Sequence, residues 1–564
     1  MCSSNISSNI AERHNCKTKK IFCGMATNIL KHVFLLFRTY LDMLIDVVFG
    51  FLFDGRRKAI PDLEKKHNIL TESAVTLAAK IRNKELTSEA LVAACIERIK
   101  QVNPILNAVI DERFADALKD AKVTDERIAE GLPEEYFKEK PFLGVPFTAK
   151  ESHAVAGLLN PLGIRARAYV RAHEDAECVR LLKQAGAIPL AVTNVPEINK
   201  WQETRNMLFG QTNNPYHTGR TTGGSSGGEA ALAACYASPI SLCSDIGGST
   251  RMPAFYCGLF GLNPTAGHSS LKGSALRTGE HPTIASIGFL SKHCSDLAPL
   301  SQLVCTGIDF NKPVDIKNVK YFYTETAKDL RVSPISKELR QAMTRVVKKL
   351  SEDTSVPLHQ YYHNGLEHMA SLWRHAMTGE VDSFPALLAN NQGEANGLLE
   401  LAKKDWKKAG VDCVGKRNEG IKEFMDRMYH HQPINALTAG AQAFPMDGIG
   451  RLGDDPPRGP SADCYQSTGL FFYYHWMGDQ KSSIASSSVL RKARKSRLSR
   501  LHLQSSAPAN PHWARVVPLG LNSEGLPLGI QVVSTPGNEA VCLAVADHLA
   551  KLFGGFVPPC RVLD

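Results

Sequence analysis

Thr221-Thr222-Gly223-Gly224-Ser225-Ser226-Gly227-Gly228-Glu229 sets four glycines around two serines. Glycine is unfavourable inside helices and strands, where it loses more conformational freedom than other residues, so this run reads as a loop whose backbone closes on something small. Glu229 to Ala237 then reads as a helix of very small residues, and Ile240 to Cys243 as a buried strand. That strand delivers a second glycine turn, Ser244-Asp245-Ile246-Gly247-Gly248-Ser249-Thr250-Arg251-Met252-Pro253. Upstream, the apolar run Val145 to Ala149 reads as a strand ending in Lys150, and Ala187 to Thr193 as another strand. Gly529 to Ser534 followed by Asn538 to Phe553 adds a last strand–helix unit. Strands alternating with helices predict a layered α/β fold with a largely parallel sheet, in which sites collect where strands end in loops. Between the first units, Thr87-Ser88-Glu89 predicts a helix start, with Leu91, Cys95, Ile99 and Val102 at helical spacing and Asn103-Pro104 as the stop.

Composition sets the outer bounds. With 564 residues, 43% hydrophobic and 22% charged, the chain is globular in class and long enough for a sizeable core. Fourteen cysteines are scattered without a single CxxC pair, which disfavours a zinc site and suits small apolar fillers in a reducing compartment. The net charge of +10 is concentrated between Pro456 and Arg515, where nine basic residues face Asp463 and Asp479. One segment therefore carries +7 of the +10, and the balance does not mark a nucleic-acid binder.

Several chemistries compete for the glycine loops. A phosphate cradle would use their backbone N–H groups, yet no G-x-x-x-x-G-K-[ST] occurs. The G-x-G-x-x-G from Gly448 to Gly453 is remote from both loops and follows no strand. Gly223 to Gly227 formally fits G-x-S-x-G, but turn-like residues precede it, and the late histidines are only His502, His512 and His548. Ser269 to Lys272 matches S-x-x-K without its partner motifs. Two serine-bearing glycine turns plus a strand-end lysine form a more specific set.

The N-terminus has a character of its own. Residues 1–26 are polar and read as a disordered leader, and residues 27–60 as an amphipathic, membrane-associated helix. Lys31, Arg38, Asp42 and Asp46 fall within about 80° of one another at helical pitch, leaving most of the cylinder apolar. A helix of this kind lies in a membrane interface, or spans if its charged stripe packs on something.

Lys150, the Gly-Gly-Ser-Ser-Gly-Gly loop around Ser225 and Asp-Ile-Gly-Gly-Ser-Thr-Arg around Ser249 together resemble the amidase signature family. Pro141 to Pro146, Gly186 to Leu190, Arg251 to Phe255 and Gly525 to Val533 resemble the fatty-acid amide hydrolases within it, most closely their type-2, membrane-anchored form. The resemblance covers roughly 62–450 and 515–555, within a domain expected over 62–560. It implies a large mixed, mostly parallel sheet sandwiched between helices, and hydrolysis of amides through an acyl-enzyme. Lys150 would be the base, Ser225 the proton relay and Ser249 the nucleophile, with the Gly224–Ser225 peptide cis. The backbone N–H groups of Ile246, Gly247, Gly248 and Ser249 would form the oxyanion hole, with Gly224, Ser226, Asp245 and Arg251 in support. Neither metal nor cofactor is implied. A lipid amide is the expected substrate, the membrane the expected partner of the N-terminal helix, nucleic acid is not expected, and a homodimer is possible. The expected location is a membrane surface inside the cell, with endomembrane or lipid droplet as candidates. From about Phe444 to Trp513 the resemblance fails: Asp454-Asp455-Pro456-Pro457, an aromatic run, a serine run and the Arg/Lys cluster stand there, so 445–513 reads as a disordered or mistranslated segment.

Overall fold

The computed structural model describes residues 57–275, 285–325, 335–361, 435–439, 513–534 and 537–563, together with scattered helical positions between 29 and 51. The leader 1–26, the charged stripe of the N-terminal helix, the glycine motif at 448–453 and nearly all of segment 445–513 lie outside the described residues.

Helix α1 (Ala74–Arg82) starts on Ser73, whose side chain accepts the Thr76 N–H. Helix α2 (Ser88–Leu106) starts at the expected Thr87 cap, which accepts from Ala90, but it runs through Pro104 to end on Asn107 in the left-handed conformation. The expected stop is therefore three residues early. Pro104 falls in the last turn, and Asn103 closes the end itself: its carbonyl accepts the Asn107 N–H at 2.7 Å and its side chain accepts those of Ala108 and Val109 at 2.8 and 2.9 Å.

Next come β1 (Val109–Glu112), α3 (Phe114–Glu130), α4 (Glu134–Glu139), β2 (Pro146–Lys150), α5 (Glu177–Gln184) and β3 (Ile188–Thr193). A short ribbon, β4 (Arg205–Asn206) and β5 (Gly210–Gln211), precedes α6 (Gly227–Ala234), β6 (Ile240–Asp245), α7 (Arg251–Tyr256), β7 (Phe260–Asn263), β8 (Ser286–Ser291) and α8 (Leu297–Val304). The rest comprises β9 (Tyr321–Thr324), α9 (Lys337–Thr354), β10 (Leu358–Gln360), β11 (Asn435–Ala439), β12 (Trp513–Leu521), β13 (Pro527–Ser534) and α10 (Glu539–Phe553). Each strand and helix expected around the glycine loops is present, with ends moved by one to three residues.

Among the described residues, eleven strands form one sheet in the order β1-β3-β2-β6-β8-β7-β12-β13-β11-β9-β10. Every residue of β2, β3, β8 and β13 is buried. Because successive side chains point to opposite faces, burial without alternation means that both faces are covered. The sheet is mixed as expected, but not mostly parallel. Four of its ten pairings are parallel (β2–β3, β2–β6, β9–β10, β9–β11) and six antiparallel. Parallel neighbours need a crossover, and α5 and α6 supply it on the β2–β3–β6 side. Where a tight turn joins two strands, as Asn522–Leu526 joins β12 to β13, the chain doubles back antiparallel.

Candidate active site

Three segments meet where β2 and β6, parallel neighbours in register at Ala149 and Leu242, reach their C-terminal ends. Lys150 is the last residue of β2 and is 1% exposed. Its Nζ lies 2.7 Å from Ser225 Oγ, 3.3 Å from Ser244 Oγ and 3.4 Å from the Ser244 carbonyl.

Ser225 is fully buried and follows a cis Gly224–Ser225 peptide. The loop admits no side chain at any of its four glycines, Gly223, Gly224, Gly227 and Gly228. A Cβ on Gly224 would stand 2.5 Å from the Trp201 carbonyl, and one on Gly227 2.3 Å from both Thr204 Oγ1 and Thr222 Oγ1. Thr204 holds this loop in place, donating to the Gly223 carbonyl at 2.9 Å and accepting the Gly227 N–H at 3.0 Å. Ser226 then opens α6, and its N–H donates to the Ser249 carbonyl at 3.1 Å, which ties the first glycine turn to the second.

The second turn is wrapped around one carboxylate. Asp245, at the end of β6, accepts the N–H groups of Gly248 at 2.6 Å, Thr250 at 3.0 Å and Arg251 at 3.3 Å. The Arg251 guanidinium grips the same carboxylate with two parallel bonds of 2.9 and 2.8 Å. One expected role is corrected here. The Gly248 N–H is donated to Asp245 and braces the turn, so it is not directed at a substrate oxygen. Ile246 and Gly247 are half-buried on the turn, and Ser249 is 7% exposed.

Burial governs the electrostatics. It disfavours the Lys150 ammonium and lowers its pKa to about 8, against the upward pull of neighbours such as Cys243 and Asp245. The same desolvation raises Glu151 to about 8 and Glu229 to about 7. Burial alone would raise Asp245 too, but Arg251 and the turn's N–H groups outweigh it and hold the carboxyl at about 2. His153, three residues past Lys150, is pushed down to about 3 by burial and is a neutral imidazole whose Nδ1 lies 2.9 Å from Ser274 Oγ. His548 lies on α10 and faces Asp353 at 3.4 Å. Among the described residues no group of His, Cys, Asp and Glu is clustered as a metal site requires.

The structure thus brings together Lys150, Gly224, Ser225, Ser226, Asp245, Gly248, Ser249 and Arg251. Sequence reasoning missed Ser244, which contacts Lys150, and Thr204, which braces the serine loop. Ser244 precedes Asp245 in the second turn and was legible as a neighbour. Thr204 reaches its partners across a long-range contact and leaves no local signal. Thr148 and Glu229 show no role in the sequence pattern, yet Thr148 Oγ1 and Glu229 Oε2 are 2.7 Å apart just behind Lys150.

A lysine and two serine-bearing glycine turns on a mixed sheet define an amidase-type site, and the sequence model of the Amidase family matches residues 90–435. The chain belongs to the amidase family and is an amide-hydrolysing enzyme. It is similar to human fatty-acid amide hydrolase 2, with 32% identity over 507 residues covering 87% of this chain and 91% of that protein. Similarity to fatty-acid amide hydrolase 2-B of Danio rerio is 33% over 525 residues, covering 89% and 93%. A component of the glutamyl-tRNA(Gln) amidotransferase of Treponema denticola is 36% identical over 236 residues, 41% of this chain and 47% of that one. Among solved structures, a bacterial aryl acylamidase superposes with a TM-score of 0.63 at 20% identity, covering 85% of this chain and 96% of that one. A fatty acid amide hydrolase structure does so at 0.63 and 17%, covering 87% and 86%. At these identities the structural matches speak for the fold alone.

Proposed function

We propose that the protein hydrolyses fatty-acid amides through an acyl-enzyme on Ser249, with Lys150 as base and Ser225 as relay. The contact of 2.7 Å between a buried lysine amine and the Ser225 hydroxyl carries the reading. A neutral amine has two hydrogens and one lone pair. The Ser244 carbonyl and hydroxyl, at 3.4 and 3.3 Å, take the hydrogens, and the lone pair is left for the Ser225 proton.

As Ser225 gives its proton to Lys150 it accepts that of Ser249, whose oxygen bonds to the amide carbon. The charge that develops on the carbonyl oxygen falls to the turn's backbone N–H groups at Ile246, Gly247 and Ser249, a contribution of order 10²–10³ in rate for each donor in comparable sites. Collapse breaks the C–N bond, and the leaving nitrogen takes the proton back through Ser225. Water then repeats the path in reverse to release the acid and restore Ser249.

The substrate class rests on the relatives. Fatty-acid amide hydrolase 2 proteins align over 87% and 89% of this chain, whereas the amidotransferase component aligns over 41%. The N-terminal segment supports it as well. Val33, Phe34, Leu36, Phe37, Leu44 and Phe51 are helical positions with exposed side chains, Phe51 at 90%. Among the described residues no helix is long and apolar enough to cross a membrane, and a helix lying in the interface would bury these side chains among acyl chains while meeting lipid amides there.

A fluorophosphonate serine probe and a chain-length series test the reading. Labelling lost in Ser249→Ala, and faster turnover of long-chain than short-chain amides, are expected. A folded protein that takes no label would be a silent homologue. Removing residues 1–56, just short of Lys58, whose N–H donates to Thr218 at 2.9 Å, should release the protein from vesicles and slow lipid-amide turnover. Unchanged vesicle binding would refute the interfacial role.

A further inference from the structure

The residue after Lys150 is fastened to a different part of the chain. Glu151 is fully buried, and its Oε1 accepts the N–H of Leu162, eleven residues on. Its backbone is tied as well: the Glu151 N–H donates to the Thr193 carbonyl at 3.1 Å, and the Glu151 carbonyl accepts from Asn160 Nδ2 at 2.7 Å. Leu162 has a φ of +54°, and its carbonyl accepts, at 2.8 Å, the N–H of Ile198, whose φ is +50°. A Cβ is crowded in this left-handed region, a branched one most of all, so Leu162 and Ile198 stay there only where their surroundings hold them. Their side chains pack with Ile164 into a small cluster separate from the main core, and the Glu151 carboxyl takes the Leu162 N–H.

The turn at Ile198 leads into the cradle of the serine loop. The backbone of Trp201, Gln202 and Glu203 lies so close to Gly224 that a Cβ there would stand 2.5, 2.9 and 3.0 Å from it. Thr204 then bonds to Gly223 at 2.9 Å and to Gly227 at 3.0 Å. A line of contacts thus runs from Glu151 through Leu162 and Ile198 to the loop that carries Ser225.

We propose that Glu151 is a positioning residue: by holding Leu162 in its left-handed turn it keeps segment 197–204 pressed on the serine loop, and so fixes the Ser225 hydroxyl at 2.7 Å from Lys150. The inference rests on the relay reading given above. Lys150 and Glu151 are consecutive, so one stretch of backbone carries both the amine that meets Ser225 and the carboxyl that braces the Ser225 loop. A shift at the end of β2 moves the two together and preserves their spacing. The bond needs only an accepting Oε1, which ionised and neutral carboxyls both provide, so it holds in either form of Glu151.

Three variants separate the bond from the charge: Glu151→Ala removes both, Glu151→Gln keeps an acceptor at the same reach, and Glu151→Asp keeps the charge one methylene short. In hydrogen–deuterium exchange, the Leu162 and Ile198 amides should exchange faster in the Ala and Asp variants and at the wild-type rate in Gln. That readout needs no turnover, so it decides the brace even if the acyl-enzyme reading fails. In hydrolysis of one soluble amide, the Ala and Asp variants should lose about tenfold or more in kcat, because a displacement of order 1 Å at the reacting groups costs up to about 10² in rate. KM should move less than about threefold, and Gln should stay within about threefold of wild type in both. Adding Leu162→Gly to Glu151→Ala should cost less than the product of the two single losses, since both cut the same line. If Glu151→Ala does not fold, Glu151→Asp carries the test. The proposal is overturned if Asp matches wild type, if Gln falls as far as Ala, if the Leu162 amide exchanges alike in all the proteins, or if kcat holds where that amide has loosened. Failure of the relay reading shows differently, as an acid limb that survives Lys150→Ala.

Discussion

If Lys150 is the base, activity must rise with pH through the value at which its amine loses a proton. Burial lowers that value from 10.5 to about 8. At pH 7 an ordinary lysine is neutral in about one molecule in 3,000, and one titrating near 8 in about one in ten, so burial raises the competent fraction about 300-fold. kcat/KM should accordingly climb about tenfold per pH unit between pH 5 and 7 and level off above pH 8. Lys150→Ala should lose about 10²–10⁴ in kcat/KM and flatten that limb, and Lys150→Arg should be as damaging because guanidinium stays charged. The assay is a stopped-time hydrolysis of one soluble medium-chain amide from pH 5 to 10. Glu151→Gln serves as a control, since Glu151 also titrates near 8 and must not own the limb. A limb that persists unchanged in Lys150→Ala would refute the reasoning.

Ser249→Ala should take up no fluorophosphonate mass, whereas Ser225→Ala should still label, about 10²-fold or more slowly; an adduct mapped to any other residue would displace Ser249 as nucleophile. Asp245→Asn leaves the Arg251 guanidinium, 6% exposed, without its carboxylate and should cost about 3 kcal/mol or more in urea unfolding, whereas a loss under about 1 kcal/mol would show that the pair is not what holds the turn. The same carboxyl is depressed from 3.8 to about 2, so its stabilisation, about 2 kcal/mol, is complete above pH 4 and vanishes as pH falls through 2; acid unfolding of Asp245→Asn should lack that component. Gly227→Ala forces a methyl to 2.3 Å from two threonine hydroxyls and should lower stability by about 1–3 kcal/mol, read as a drop in Tm.

Local pattern carried most of the site. Strand β2 is apolar up to Lys150, α6 is made of residues small enough to pack at 0% exposure, and β6 hands its chain to a glycine turn, so three segments could be placed from sequence alone. What escaped was whatever depends on a partner remote in sequence. Strand direction was misjudged because β8 pairs antiparallel with both β6 and β7, and β12 with β7, pairings that no local period encodes. Thr204 is an ordinary loop threonine until the fold sets it under Gly227. The Gly248 N–H reads as a free donor in sequence, and only the wrapped geometry shows it committed to Asp245. Pro104 marks the end of a helix in general, yet Asn103 beside it can carry the closing bonds, so the helix outlasted the signal.

Lys150 and both serine turns hang from β2 and β6, neighbours in one half of the sheet, while β11, β9 and β10 stand at its far end, roughly 24 Å or more from β6 at about 4.8 Å per strand. A change at those far strands therefore reaches the Lys150–Ser225 contact only through five intervening ladder pairings.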